Sequence, residues 1–215
     1  MSFREYSFLD KCVYELDIFL NTCFSRKKLS IRPSPAEKIE ETIFLNKKEK
    51  RKISALMRIN HTGEVCAQAL YRGQMVFANR KTMKQYLQKT AEEEFDHLCW
   101  CEMRIYDLKS YVSILNPVWY ILSFSIGMAV GIISDEFSYT FIVETERQVE
   151  NHLKEHLEKI DYNDKKSRFI LLQMCLDEKE HGDKALQFTK LKMPCFIKNC
   201  MQVQARFMKF ITYYV

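Results

Sequence analysis

The stretch Glu94-Phe95-Asp96-His97 returns in altered form as Glu178-Lys179-Glu180-His181. Both read Glu-x-x-His, and on a helix residues three apart share a face. Each stretch therefore presents a carboxylate and an imidazole side by side. Two such helices facing each other, with one Glu from each of two further helices, form the ligand set of a di-iron or di-manganese carboxylate site in a four-helix bundle. The chain offers the two extra carboxylates at Glu64 and Glu146. The expected ligand set is Glu64, Glu94, His97, Glu146, Glu178 and His181.

One Glu-x-x-His in a Glu-rich helical protein is usually a solvated pair. Two are more specific, because the chain has only 5 His and two of them stand three residues after a Glu. Glu64 is flanked by Gly63 and Ala67, and Glu146 shares a face with Val143, Val149 and Leu153. A bundle laced only with salt bridges leaves those small and apolar surroundings unexplained. A buried carboxylate is costly unless a metal or another cation compensates it. Carboxylate and imidazole ligands together, with open positions, suit iron and O₂ chemistry.

Working outward, the 215 residues suit one domain with a small appendage. Hydrophobic residues make up 47% of the chain, enough for a sizeable core, while 5 Gly and 4 Pro leave little to break helices. The expected fold is all-α. A net charge of +5 without a dominant basic block or nucleic-acid motif speaks against nucleic acid as a partner. The 8 Cys include no Cys-x-x-Cys, so they read as packing residues in a reducing compartment. Cys99 and Cys101, beside Trp100, belong to that group. Acidic residues at Glu5, Asp10, Glu15 and Asp17 argue against a secretory signal or transit peptide.

Residues 5–24 carry Phe8, Leu9, Val13, Leu16, Phe19 and Leu20 at helical spacing. Ser25-Arg-Lys-Lys and Arg32-Pro33-Ser34-Pro35 break that helix. Residues 1–46 are thus expected to form a helical extension with a Pro-containing linker, and 47–215 the main helical domain. The charged run 47–52 reads as a solvated helix start. The bundle helices are expected at 50–79, 82–109, 135–160 and 165–190. Between the second and third, residues 110–134 carry no charge at all. Asn116-Pro117 splits this stretch and leaves about 16 residues, ~24 Å of helix, short of a ~30 Å hydrocarbon core. It reads as a buried crossover helix, part of which dips into one leaflet. The tail, 195–215, mixes basic and aromatic residues in a pattern suited to a membrane interface or to packing over the bundle.

At these residues the chain resembles the demethoxyubiquinone hydroxylase family of ubiquinone biosynthesis. The resemblance rests on Arg58-Ile-Asn-His-Thr-Gly-Glu64, Glu94-Phe-Asp-His97, Glu144-Thr-Glu146-Arg-Gln-Val-Glu-Asn-His152-Leu153, Asp177-Glu-Lys-Glu-His181 and Asn116-Pro117-Val-Trp-Tyr. It covers about residues 50–190 and implies a ferritin-like di-iron fold with a crossover apolar helix and extra N- and C-terminal helices. In register, the family's six ligands fall on the six residues already named. His152 falls on a histidine near the site, although its spacing places it ~120° from Glu146 on an ideal helix. The extension with Arg32-Pro-Ser-Pro-Ala36 resembles the longer bacterial form.

The resemblance implies hydroxylation at C6 of a polyprenylated methoxy-methyl-benzoquinone. It implies two Fe ions per subunit, O₂ as co-substrate, and electrons from NADH or reduced quinol, with no Gly-rich dinucleotide fingerprint in the chain. The expected partners are the polyprenyl quinone, the membrane surface and other ubiquinone-biosynthesis proteins. The expected location is the cytoplasmic face of a bacterial inner membrane. Two other readings fit part of the pattern. One is a ferritin-type ferroxidase, which needs no apolar stretch. The other is a non-enzymatic membrane-associated scaffold, which needs no metal.

Overall fold

In the computed structural model, residues 7–25, 29–40 and 45–215 are described. Glu5 and the basic residues 26–28 lie outside them. Among the described residues there are seven helices and no strand: α1 (Phe8–Phe24), α2 (Lys47–Phe77), α3 (Lys81–Asp107), α4 (Asn116–Ile133), α5 (Asp135–Lys159), α6 (Lys165–Leu186) and α7 (Cys195–Tyr214). The chain is all-α, as its composition and periodicity indicate.

Local signals set the helix starts. The Asn46 side chain accepts the amides of Lys48 and Glu49, each at 3.0 Å, and the Glu49 carboxylate accepts the Asn46 amide at 2.8 Å. This reciprocal box satisfies amides that a helix start leaves bare. The charged run at 47–52 is the exposed first turn and a half of α2. Ser134 caps α5 by accepting the Phe137 amide at 3.1 Å. Pro117 stands in the first turn of α4, where its missing N–H costs nothing, so the uncharged stretch divides there and the helix begins.

α2 and α3 pack as one helical hairpin and α5 and α6 as the other, with α3 facing α6. Polar ties fix the two hairpins end to end. Asp135 accepts the amides of Asn79 and Arg80 at 2.9 and 2.8 Å, joining the start of α5 to the α2–α3 turn. Buried Arg104 reaches Asp164 at 2.9 Å and Ser167 at 2.8 Å, joining α3 to the α5–α6 turn.

The core divides into layers. One contains Met57, Trp100, Leu153 and Met174, and another contains Tyr71, Ala91, Ile142 and Ala185. Each layer draws on all four bundle helices. Glu64, Glu94, Glu146 and Glu178 fall between them in sequence on every helix. Each fully buried aliphatic side chain in these layers contributes about 1.5–3 kcal/mol, and that apolar packing encloses a polar middle.

α4 lies along α2 at a glycine seam. A Cβ on Gly127 would collide with the Leu70 carbonyl oxygen, one on Gly73 with that of Phe124, and one on Gly131 would come 2.9 Å from that of Gln74. Only part of α4 is enclosed: Trp119, Tyr120, Gly127 and Val130 are buried, while Val118, Ile121, Leu122, Ile132 and Ile133 are exposed. The helix is long and apolar enough to cross a membrane by length and composition, with 39% of it buried. α1 rests on α2 and α4 through the Arg72–Glu15 ion pair and the Phe19–Tyr120 ring contact at 5.1 Å. Its outer face leaves Phe8, Leu9, Val13 and Leu16 exposed.

Candidate metal centre

The six residues singled out by spacing meet in the polar middle of the bundle. α2 supplies Glu64, α3 Glu94 and His97, α5 Glu146, and α6 Glu178 and His181. All six are buried, none more than 3% exposed. Their ligand atoms fall into two groups, each drawn together within 4.8 Å: Glu64, Glu94, His97 and Glu178, and Glu94, Glu146, Glu178 and His181. Glu94 and Glu178 belong to both. Two cations placed here would share those carboxylates as bridges, each with one carboxylate and one imidazole of its own.

Hydrogen bonding inside the cluster supports that fit. His97 Nδ1 lies 2.9 Å from Glu94 Oε2 and 3.4 Å from Glu178 Oε1. His181 Nδ1 lies 3.0 Å from Glu94 Oε1, yet neither atom makes a well-directed hydrogen bond, and Glu178 Oε1 also lacks one. Buried polar atoms are almost always satisfied. Here the unsatisfied ones converge on a common interior, which suits a cation better than it suits one another.

The outer ring nitrogens are held from the opposite helix. His97 Nε2 faces Asp177 at 2.8 Å, and His181 Nε2 faces Glu93 at 2.5 Å. Each of these acids immediately precedes a cluster Glu, so the working unit is acid-Glu-x-x-His, repeated. A carboxylate on the outer nitrogen fixes the tautomer and orientation of a metal-binding histidine. Spacing on one helix could not reveal these cross-helix contacts, although Asp177 stands within the motif. Tyr71, also missed, points its hydroxyl at Glu146 from α2.

Electrostatics divide the carboxylates. Burial pushes Glu64 well above the usual carboxylate range, and the charges of Glu94 and Glu178 add to this. Glu146 is raised likewise by burial and then by Glu178 and Glu94. Burial also disfavours charge on Glu94, but His97 and His181 outweigh it and hold the carboxyl low. Burial alone would lower His97, whereas Glu94, Asp177 and Glu178 hold it well above the ordinary imidazole value. The group thus balances its charge with shared protons, which a divalent cation can displace.

His152 sits apart from this network. Its contacts are with the His156 ring, centroids 3.9 Å apart, and with Lys209 of α7, 3.4 Å from its Nδ1. It does line the same cavity as Glu64, a space of about 370 Å³ between α2, α4, α5 and α7. Trp119, Phe141, Met201 and Gly63 also line it, and a Cβ on Gly63 would meet nothing within 4 Å. A mostly apolar cavity therefore runs up to one carboxylate of the cluster.

Comparison with known proteins adds a family. The profile described as "Ubiquinone biosynthesis protein COQ7" matches residues 51–212, from α2 into the last turn of α7. Relatives named 3-demethoxyubiquinol 3-hydroxylase align over nearly the whole chain. That of Ectopseudomonas mendocina is 46% identical over 210 residues, covering 98% of this chain and 97% of its own. That of Pseudomonas putida is 44% identical with the same coverage. That of Legionella pneumophila is 43% identical over 213 residues, covering 99% of this chain and 100% of its own.

Proposed function

The chain belongs to the COQ7 family of ubiquinone biosynthesis proteins, a ferritin-like di-iron family, and on that premise we propose the chemistry of its buried cluster. The chain is a hydroxylating oxidoreductase of ubiquinone biosynthesis. The ferritin-type and scaffold readings are not favoured, since the relatives named as hydroxylases align along 97–100% of their own length.

In our reading two iron ions would be held by this cluster, Glu94 and Glu178 being common to both sites, Glu64 and His97 serving one and Glu146 and His181 the other. The observation that carries this is the sharing of Glu94 and Glu178 by both ligand groups. The irons would supply activation of O₂. The protein's own part is to hold the imidazoles in one tautomer through Asp177 and Glu93 and to keep bulk water out with the two apolar layers. The substrate ring reaches Glu64 through the cavity beside Gly63.

The relatives' name puts the substrate in the reduced, quinol form and the new hydroxyl at the position it numbers 3. One oxygen atom of O₂ enters the ring and the other leaves as water, which requires two electrons and two protons. NADH is one source of them. A quinol substrate can also supply them by leaving as the hydroxylated quinone. The apolar outer faces of α1, α4 and α7 rest, in this reading, on the cytoplasmic surface of a bacterial inner membrane, where a polyprenyl substrate resides. Other ubiquinone-biosynthesis proteins meet the enzyme at that surface.

The test is to load purified protein with ferrous iron and supply demethoxyubiquinol under ¹⁸O₂. One labelled oxygen in the product, and none from Glu178→Ala, is the expected result. Label arriving from water instead would overturn the assignment.

A further inference from the structure

Residues 29–40 precede the bundle, and nothing in the ligand pattern gives them a task. They nevertheless lie against the cluster. The amides of Ile31 and Arg32 donate to the Asp96 carboxylate at 2.6 and 3.3 Å. The Arg32 guanidinium reaches Asp96 at 3.0 Å through Nε and Asp177 at 2.9 Å through Nη2. The same Nη2 lies 3.4 Å from His97 Nε2. Its carbon stands 4.9 Å from the centre of the Trp100 ring, and the Trp100 N–H donates to the Arg32 carbonyl at 3.4 Å. One residue thus joins α3 to α6 on the outer side of His97.

We propose that this segment is a strap and that Arg32 is its positioning residue, holding Asp177 on His97 and thereby setting the iron affinity of the site that contains Glu64 and His97. The inference rests on the metal centre proposed above.

Three observations favour a specific strap over incidental packing. The Ile31 side chain is 76% exposed, so apolar burial does not hold the segment at this point. Its hold is polar and aimed at two acids that flank cluster residues. Next, Pro33 forces Arg32 into extended backbone, and Pro35 stiffens the same short run. Ser34 and Ala36 complete the turn, with the Ala36 amide on Ser34 Oγ at 3.3 Å and the Ala36 side chain buried in the core layer that holds Trp100. The strap is therefore anchored just beyond its arginine.

The third observation is chemical. Asp177 accepts from Arg32 and from Gln173, the latter at 2.9 Å, while facing His97. A guanidinium presents several donors in a planar fork and can hold Asp96 and Asp177 together. A lysine ammonium is a point charge on a flexible stem and does so poorly. The two halves of the cluster also differ. His181 is backed by Glu93, whose nearby cations are Lys89 on its own helix, at 3.8 Å, and Lys184 of α6, and no described strap residue reaches it. The strap therefore acts on one iron site of the two.

The experiment titrates ferrous iron, against a competing chelator, into the full-length metal-free protein, its Arg32→Ala and its Arg32→Lys variants. Thermal melting of the metal-free proteins provides a fold control. The expected result is two sites in the wild type, one of them weakened about tenfold in Arg32→Ala, as for other outer partners of metal ligands. Arg32→Lys recovers only part of that loss, and the melting temperatures stay within a few degrees. Equal weakening of both sites, or none of either, overturns the proposal. Full recovery by lysine would reduce the strap to a charge effect and overturn the positioning role. Failure of the wild type to bind iron would instead defeat the metal centre itself. In that event amide exchange at Ile31 and Arg32 decides the strap alone: protection that disappears in Arg32→Ala supports it, and free exchange in the wild type overturns it.

Discussion

Asp177 Oδ2 lies 2.8 Å from His97 Nε2, a contact that crosses from α6 to α3. Glu93 makes the reverse crossing, from α3 to His181 on α6, at 2.5 Å. The two Glu-x-x-His helices therefore hold each other's imidazoles. Asp177→Asn and Glu93→Gln keep size and remove charge. Each is expected to weaken iron binding about 10–100-fold, measured by titration against a chelator. Asp177→Asn should act at the site with Glu64, and Glu93→Gln at the site with Glu146. Loss of both sites in either variant would contradict the pairing.

Gly63 faces open space beside Glu64. Gly63→Leu should fill the approach without touching a ligand. Iron content is expected to stay at the wild-type level while kcat/KM for the quinol falls at least about tenfold, equivalent to ~1.4 kcal/mol. Steady-state kinetics beside a metal assay checks this. Unchanged kinetics would move the substrate route elsewhere.

The seam between α2 and α4 makes an opposite pair of glycines. Gly127→Ala drives a methyl into the Leu70 carbonyl and should destabilise by about 1–3 kcal/mol. In a chain of this size that is roughly 2–4 °C in Tm per kcal/mol. Gly63→Ala has room and should raise stability by about 0.4–1 kcal/mol through the unfolded state. Calorimetry of both in the same detergent decides the matter, since equal shifts would mean that α4 is not seated on α2.

His156 is buried near Lys159 and Lys209, and burial first, then those charges, brings its pKa down to about 3. Its unfolded value is near 6.5, so between those values the unfolded chain binds the extra proton. Stability is therefore fully present above about pH 6.5 and is lost as pH falls towards 3, with a slope of about 1.4 kcal/mol per pH unit for this group. His152 shifts in the same direction, from burial and then from His156 and Lys209. Urea unfolding of wild type and His156→Asn from pH 4.5 to 7.5 should show a shallower decline in the variant. Parallel curves would mean that His156 is hydrated in the folded protein.

Much of this architecture can be read from the sequence because it is local. The i, i+3 spacing of Glu94 with His97 and of Glu178 with His181 lies within one helix turn, and four helical periods imply four helices. The break at Asn116-Pro117 is legible for the same reason, since a proline in the first turn marks where a helix begins. The crossover helix, expected to be buried with part of it dipping into a leaflet, is covered by α2 on one side and leaves Ile121, Leu122, Ile132 and Ile133 exposed on the other. Arg32, Glu93 and Tyr71 act on the cluster across separate elements, and no spacing along the chain encodes such contacts. The glycine seam on α4 is equally a matter of two helices meeting. His152, near the site by family register, lines the cavity that reaches Glu64, and its own contacts are with His156 and Lys209.

The most direct test of the central claim, that this buried cluster drives ring hydroxylation, is the quinone mass profile of a strain lacking the gene. Wild-type protein supplied back should clear accumulated demethoxyubiquinone and restore ubiquinone, while Glu178→Ala at equal abundance should leave the precursor in place. Restoration by Glu178→Ala, or a quinone pool unchanged by loss of the gene, would contradict it.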